Sequence, residues 1–230
     1  MKIRFGRILM LGIPLGILCA IFKNHFNISN DAFWKYYYIF GIAAILLAVL
    51  INGAYQFRFA KKLNALTEIL LTDRDEERFI AENEELLRNT KERHHRALIY
   101  LNLCAGYSDK EAFETAKEML LKVPEQDFRG INKLVYYINL AYIDFRLLEV
   151  QEALAVLRRF DKQFTNLQNH KQLGGHLAIL KIFDLIYTEQ TEEAQPLLLS
   201  SKEKWTDKRL EKAWVYQQRL IDERKQRTIE

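Results

Sequence analysis

The sequence has little cysteine, proline or glycine: two cysteines, three prolines and nine glycines among 230 residues. The two cysteines, Cys19 and Cys104, stand in apolar surroundings without metal-ligand spacing, which excludes a disulfide framework and a cysteine-based metal site. We expect both to be small buried side chains. Because helix breakers are so few, the long periodic stretches predict an all-α protein.

An excess of charge of one sign is absent from most of the chain. The formal net charge is +4, and residues 1–56 account for it, with five basic side chains against the single carboxylate of Asp31. Residues 57–230 hold 29 basic and 29 acidic side chains. A nucleic-acid-binding domain carries its basic excess on the folded part, so this balance argues against nucleic acid as a partner.

Motifs of catalysis and cofactor binding are also missing. The sequence has no Gly-rich phosphate loop, no HExxH and no Cys-x-x-Cys, and its five histidines form no metal-ligand cluster. Adjacent carboxylates such as Glu84-Glu85 are typical of a solvated helix face. No nucleophile stands with a candidate base, so we expect a non-enzymatic protein without metal or cofactor.

Two long apolar stretches are present near the N-terminus. Ile8 to Phe22 has no polar side chain and is close to the lower length limit for a membrane span. Tyr36 to Tyr55 is the stronger span, with aromatic residues at both ends. The two stretches predict a transmembrane helical hairpin over residues 1–56, which anchors a cytosolic domain over residues 57–230 to the lipid bilayer.

Lysine and arginine are concentrated on the outer flanks of this hairpin. Three precede the first span and Arg58, Lys61 and Lys62 follow the second, whereas the connecting loop holds one lysine. The positive-inside rule then places both termini in the cytoplasm and predicts a multi-pass protein of the cell membrane with two spans. A cleaved signal peptide is the alternative for the first span, although residues 18–20 are a poor cleavage site.

Gly12 and Gly16 stand four residues apart in the first span. This spacing of small residues is typical of helices that pack closely in membranes. Packing against the other helix of the hairpin and formation of a homodimer through this span both remain open.

From Phe57 onward, apolar residues recur at steps of three and four, separated by turn residues. Ser108 with Glu111 is predicted to form a capping box, and Asp73 with Glu76 a weaker one. We predict helices over residues 57–71, 75–89, 92–106, 109–122, 131–147, 150–163, 172–188, 191–203 and 206–227.

One short phrase recurs at an interval of 41 residues. Glu111-Ala112, Glu152-Ala153 and Glu193-Ala194 are each predicted to open the second helix of a pair, where a small side chain lets two helices approach closely. Such pairs stack because one pair alone cannot bury its apolar faces. The last helix is predicted to cap the stack with one apolar side, formed by Leu210, Ala213, Trp214, Gln217 and Leu220.

The clearest unit carries Tyr137-Ile138-Asn139-Leu140-Ala141 on its first helix and Ala153, Leu157 and Phe160 on its second. Over roughly residues 92–206 the chain resembles the tetratricopeptide-repeat (TPR) family, which implies a TPR-like α-solenoid of antiparallel helix pairs. Generic helical hairpins are the alternative.

The chain departs from the TPR pattern in three ways. Its interval is 41 residues instead of 34. Pro196 lies inside a predicted second helix, where it should distort the first turns. Finally, the glycine expected late in the first helix is replaced by Tyr107, Leu148 and Glu189.

In the TPR family, the first helices of the pairs line a concave groove that holds peptides. Carried over position by position, the resemblance implies a protein-binding groove here, and several of its residues are aromatic, a type enriched at interface hot spots. Filling of the core between helices is the other interpretation of the same residues. The candidates are Leu101, Ile138, Tyr142, Phe145, Arg146, His176, Phe183 and Tyr187.

Together these patterns favour a membrane-anchored TPR-like adaptor or scaffold that binds other proteins through its cytosolic helical repeats. The alternative is an accessory or regulatory subunit of a membrane transport or envelope-synthesis complex, which recognises its partners through the transmembrane helices.

Overall fold

The computed structural model describes residues 16–19, 21, 23–26 and 29–229. Within these residues the protein is helical and has no β-strand, which confirms the predicted all-α class. The chain divides into two compact units, one ending at Ala60 and the other running from Lys61 to the C-terminus. We call them the N-terminal unit and the C-terminal unit.

The main element of the N-terminal unit is helix α1, Asn30–Glu68, which continues past the unit boundary. It contains no proline, and Asp31 in its first turn interacts favourably with the helix dipole. Its 39 residues extend about 58 Å at 1.5 Å each, about twice the thickness of bilayer hydrocarbon. The apolar window has a mean hydropathy of 2.0 and no buried residue. Among the described residues, α1 is the one helix long and apolar enough to cross a membrane.

The first predicted span lies mostly outside the described residues. Residues 16–19, 21 and 23–25 are helical. Gly12 is not among the described residues, and a Cβ added at Gly16 would meet no atom within 4 Å. The second span, the hairpin and the cytoplasmic position of both termini therefore stay predictions.

The C-terminal unit is a succession of helices joined by short turns, and each helix predicted from the apolar periodicity is present, with 57–71 forming the end of α1 and the turn after it. The last helix starts later than predicted, because a short helical turn precedes it. Pro196 lies inside α8 without interrupting it. The helices are α2 (Glu76–Asn89), α3 (Arg93–Asp109), α4 (Phe113–Leu121), α5 (Ile131–Arg146), α6 (Val150–Leu167), α7 (Gly174–Tyr187), α8 (Thr191–Lys204) and α9 (Glu211–Ile229), with short turns of other helical types at Ile69–Asp73, Glu125–Asp127 and Lys208–Leu210.

Each helix of the C-terminal unit packs against the next, from α2 to α9. In addition, α3 packs against α5, α5 against α7 and α7 against α9. One contiguous apolar core extends from α3 to α9, and Phe145, Phe183 and Ile221 are fully buried in it. Burial of each side chain of this size contributes about 1.5–3 kcal/mol to folding.

Three helix connections share one backbone form. After α3, α5 and α7, a non-glycine residue adopts the left-handed conformation: Glu111 at φ 59°, Leu148 at φ 62° and Glu189 at φ 64°. The N–H of the following residue donates to the carbonyl five residues before it, at 2.9, 2.8 and 2.9 Å. This is the Schellman motif, and the next helix begins directly after it.

These turns correct the predicted 41-residue interval. The left-handed residues are 37 residues apart at the first step and 41 at the second. Ala116, and not Ala112, therefore matches Ala153 and Ala194, and these three matched alanines are fully buried. Ala112 instead stands just before the start of α4. The role of alanine as a close-packing residue holds, but the first repeat is four residues out of register with the phrase that suggested it.

Both predicted capping boxes are wrong. Ser108 lies inside α3 and Glu111 occupies the left-handed turn, so neither caps α4. The cap of α2 is Asp75, whose carboxylate accepts from the Arg78 N–H at 2.9 Å, in place of Asp73. A Schellman turn without glycine has no distinctive residue pattern, so a Ser-x-x-Glu spacing nearby was the stronger motif.

Candidate protein-binding groove

The residues that the TPR resemblance assigns to a groove lie on α3, α5 and α7, and the structure places half of them in the core. The buried ones are Leu101, Ile138, Phe145 and Phe183. The half-buried ones are Tyr142, Arg146, His176 and Tyr187.

Arg146, at the end of α5, is surrounded by aromatic rings. Its guanidinium lies 4.2 Å from the ring centroids of both Phe113 and Tyr216, and it donates to the Tyr142 hydroxyl at 2.9 Å. It also pairs with Glu111 at 2.9 Å, and this hydrogen bond lowers the pKa of the Glu111 carboxyl. Only 9% of the arginine side chain is exposed. A planar cation stacked between rings and bonded at its edge holds three helices in one arrangement.

Helix α9 lies over part of this aromatic surface. The Tyr216 ring lies 6.0 Å from that of Phe183, and Gln217 donates to the backbone oxygen of Ile179 at 2.7 Å. The apolar side predicted for this helix is buried at Leu210, Ala213, Trp214 and Gln217, while Leu220 is half-buried. A partner therefore reaches Phe183 only if α9 moves.

His176 lies apart from the aromatic cluster, in the first turn of α7. Burial lowers the pKa of its imidazole to about 4, the positive charge of Arg209 adds to this, and Asp207 opposes it. The ring is therefore neutral at neutral pH.

An open groove of about 370 Å³ lies between α6 and α8, with α7 as its floor. We call it the α6–α8 groove. The TPR-derived candidates do not line it. Its apolar lining is Leu157, Phe164, Leu177, Ala178, Leu180, Leu197 and Trp205, and its polar rim includes Asp161, Thr165, Gln168, Asn169, Lys181, Asp184, Ser200, Ser201 and Lys204.

A glycine at the start of α7 shapes one end of the α6–α8 groove. A Cβ at Gly174 would lie 2.3 Å from the Trp205 ring and 2.7 Å from the Gln168 carbonyl oxygen. Only a residue without a side chain lets Trp205 pack across the start of α7. The indole then forms a rigid apolar wall at the point where α8 ends.

The charged groups on the rim differ in how far they are satisfied. Lys181 pairs with Asp184 at 2.9 Å, and Lys204 donates to the Asn169 side chain at 2.7 Å. Asp161 makes no ion pair or hydrogen bond within the residues that the structure describes. The groove thus combines an apolar floor with a carboxylate available to a cation.

The sequence reasoning missed the α6–α8 groove. Leu157 and Phe164 follow the same periodicity as core residues, and periodicity does not distinguish a filled space from an open one. The pattern that pointed to this place was Gly174-Gly175, which was interpreted as a helix break and is a close-packing site against Trp205 and Leu210.

Neither a metal ion nor a reactive thiol has an evident place in the described residues. No three His, Cys, Asp or Glu side chains among them are arranged to hold a metal ion. Cys104 is fully buried as predicted, and burial raises its pKa to about 12, so the thiol stays protonated. Comparison with known protein families, curated proteins and solved structures finds no match for this chain.

Proposed function

We propose that this chain is a membrane-anchored adaptor without enzymatic activity, in which α1 crosses the cell membrane and the C-terminal unit binds a partner protein in the α6–α8 groove. The observation that carries the proposal is the groove itself, about 370 Å³ of open space with an apolar floor and a polar rim. This combination is typical of surfaces that bind other molecules. The adaptor holds its partner at the membrane surface.

The anchor is supported by the exposed surface of α1. Trp34 and Tyr36 at one end, and Tyr55 and Phe57 at the other, are each about half exposed or more. These positions match the two aromatic belts of a membrane-spanning helix. In the full proposal the N-terminal segment adds a second span, and both termini lie in the cytoplasm.

A TPR-like solenoid is the architecture that we propose for the C-terminal unit. It is supported by the turn that recurs after α3, α5 and α7 and by the packing of these helices against one another. In stacked helix pairs, each pair buries the apolar faces of its neighbours. The steps of 37 and 41 residues are longer than the 34 of the TPR family, so generic helical hairpins remain the alternative.

The partner segment that fits the α6–α8 groove is an amphipathic helix with a basic residue at its edge. The apolar floor accepts two or three aliphatic or aromatic side chains spaced three or four residues apart. Asp161 supplies the carboxylate for a lysine or arginine of the partner. Hydroxyl and amide groups on the rim, such as Ser200 and Gln168, bond to the polar face.

Filling the groove with an arginine side chain tests the proposal. Ala178 lines the groove and is half-buried, so Ala178→Arg fills its apolar space with a charged chain. Ala155→Arg is the matched control, because Ala155 is exposed on α6 and does not line the groove. Both variants keep a strong helix former.

The measurement is recovery of cross-linked partners with the full-length protein in mild detergent. We expect a partner that the wild type and Ala155→Arg recover and that Ala178→Arg loses, with helix content unchanged by circular dichroism. Equal recovery by all three proteins, or no specific partner, contradicts the proposal.

The accessory-subunit function is the second candidate, and the open surface of α1 favours it. A Cβ at Gly41 or Gly53 would meet no atom within 4 Å, so another transmembrane helix can approach closely at either place. Replacing residues 1–56 with an unrelated two-span hairpin distinguishes the two functions. Loss of the partner supports the accessory subunit, and retention supports the adaptor.

A further inference from the structure

A small cavity of about 70 Å³ lies where the start of α2, the end of α3 and the start of α9 meet. Charged side chains dominate its lining. Four cations and two carboxylates leave a surplus of two positive charges, and converging like charges repel one another unless an anion lies between them. The cations are Arg74, Lys208, Arg209 and Lys212, and the carboxylates are Glu76 and Asp109.

Two of the four cations are already engaged. Lys212 donates to the backbone oxygen of Asp109 at 2.6 Å, and Arg209 pairs with Asp207 at 2.7 Å. The side chains of Arg74 and Lys208 are exposed and make no ion pair or hydrogen bond within the part of the chain that the structure describes. Both are free to bind a ligand.

Asp109 gives the cavity a second property. Burial raises the pKa of its carboxyl to about 6, although the nearby Arg209 and Lys212 act in the opposite direction. Near neutral pH, this group therefore shares a proton with an acidic neighbour at little cost. A phosphomonoester, whose second pKa is about 6, can supply that proton, whereas sulfate cannot.

We propose that this cavity binds a phosphomonoester group, with Arg74 and Lys208 as its ion-pair partners and Asp109 as the group that shares its proton. Lys212 and Arg209 retain further N–H donors for the same oxygens. The volume of about 70 Å³ is roughly twice the ~30 Å³ of one water in the liquid, which suits a tetrahedral head group. The source is either a phosphate in solution or the head group of a phospholipid.

The test uses the full-length protein in nanodiscs of phosphatidylcholine and isothermal titration calorimetry with inorganic phosphate. We expect binding that weakens about tenfold or more in the double variant Arg74→Ala/Lys208→Ala. The control variant Arg158→Ala/Lys202→Ala removes two exposed cations that do not line the cavity and should bind as the wild type does. Thermal denaturation without phosphate checks that each variant folds. If the double variant does not fold, Lys208→Gln alone provides the comparison.

Sulfate and lipid complete the test. The wild type should prefer phosphate to sulfate, and Asp109→Asn should narrow that preference. Nanodiscs that contain phosphatidic acid identify the source: loss of phosphate binding indicates the lipid head group, and unchanged binding indicates a ligand in solution, and both results support the site. No heat with phosphate, equal affinity for sulfate in the wild type, or unchanged binding in the double variant overturns the proposal.

Discussion

The Arg146 guanidinium lies 4.2 Å from the ring centroid of Tyr216 and thereby connects the end of α5 to α9. The ring of Phe113 lies at the same distance from it, so one side chain also connects α4 to this pair. A nearly buried cation in this position stabilises the fold only while its hydrogen-bond partners and ring contacts are all present.

Replacing Arg146 by lysine tests this connection. Lysine keeps the charge but loses the planar stacking and cannot bond Tyr142 and Glu111 with the same geometry, so we expect the free energy of unfolding to fall by about 1–3 kcal/mol. Urea denaturation of the full-length protein in detergent, followed by circular dichroism, measures the change. Arg88→Lys, at an exposed position in the last turn of α2, should leave stability unchanged. Equal stability of both variants and the wild type would disprove the role of Arg146.

The left-handed turn after α5 predicts a stabilising substitution. Leu148 has φ 62° and is 67% exposed, so Leu148→Gly removes backbone strain and loses little packing. We expect the free energy of unfolding to rise by about 0.5–1 kcal/mol, since the strain relieved exceeds the added flexibility of the unfolded chain. Leu199→Gly, at a 52% exposed position inside α8, should instead lower it by about 1 kcal/mol. A similar loss in both variants would refute the assignment of the turn.

Close packing at the start of α7 predicts that Gly174→Ala is harmful. The added methyl group would lie 2.3 Å from Trp205 and 2.7 Å from a backbone oxygen, so the indole must move. We expect a loss of about 1–3 kcal/mol and a change in tryptophan fluorescence. Gly53→Ala is the control, because a Cβ there meets no atom within 4 Å. An unaltered fluorescence spectrum and stability in Gly174→Ala would show that the groove end is not packed as described.

The environment of His176 predicts a pH dependence. Its pKa falls from 6.5 to about 4 on folding, so the folded protein binds fewer protons than the unfolded chain between these values. The stabilising contribution is complete above pH 6.5 and is lost as the pH falls toward 4. Between neutral pH and about pH 4.5, the wild type should lose about 2 kcal/mol more than His176→Gln, measured by urea denaturation. All other titrating groups are common to both proteins, so parallel stability curves would contradict the prediction.

Apolar periodicity was sufficient to locate the helices. The predicted range 131–147 corresponds to Ile131–Arg146, and 191–203 corresponds to Thr191–Lys204. Steps of three and four residues directly reflect which face of a helix is buried. The fold class and the helix order follow from this local property, and so does the apolar side of α9.

Turn chemistry and open space could not be predicted in the same way. Glu111 and Leu148 occupy a conformation in which glycine is the usual residue, so the repeat step of 37 residues was hidden behind a coincidental Glu-Ala phrase. The rings around Arg146 come from α4, α5 and α9, and only the packing of distant segments brings them together. The α6–α8 groove is likewise a gap between helices, which leaves no trace in the residues of any one of them.

The adaptor function depends on α1 crossing the membrane, and extraction of native membranes with alkaline carbonate tests this most directly. The account predicts that the full-length protein stays in the membrane pellet after carbonate and enters the supernatant only with detergent. Recovery of the protein in the carbonate supernatant without detergent would contradict the account.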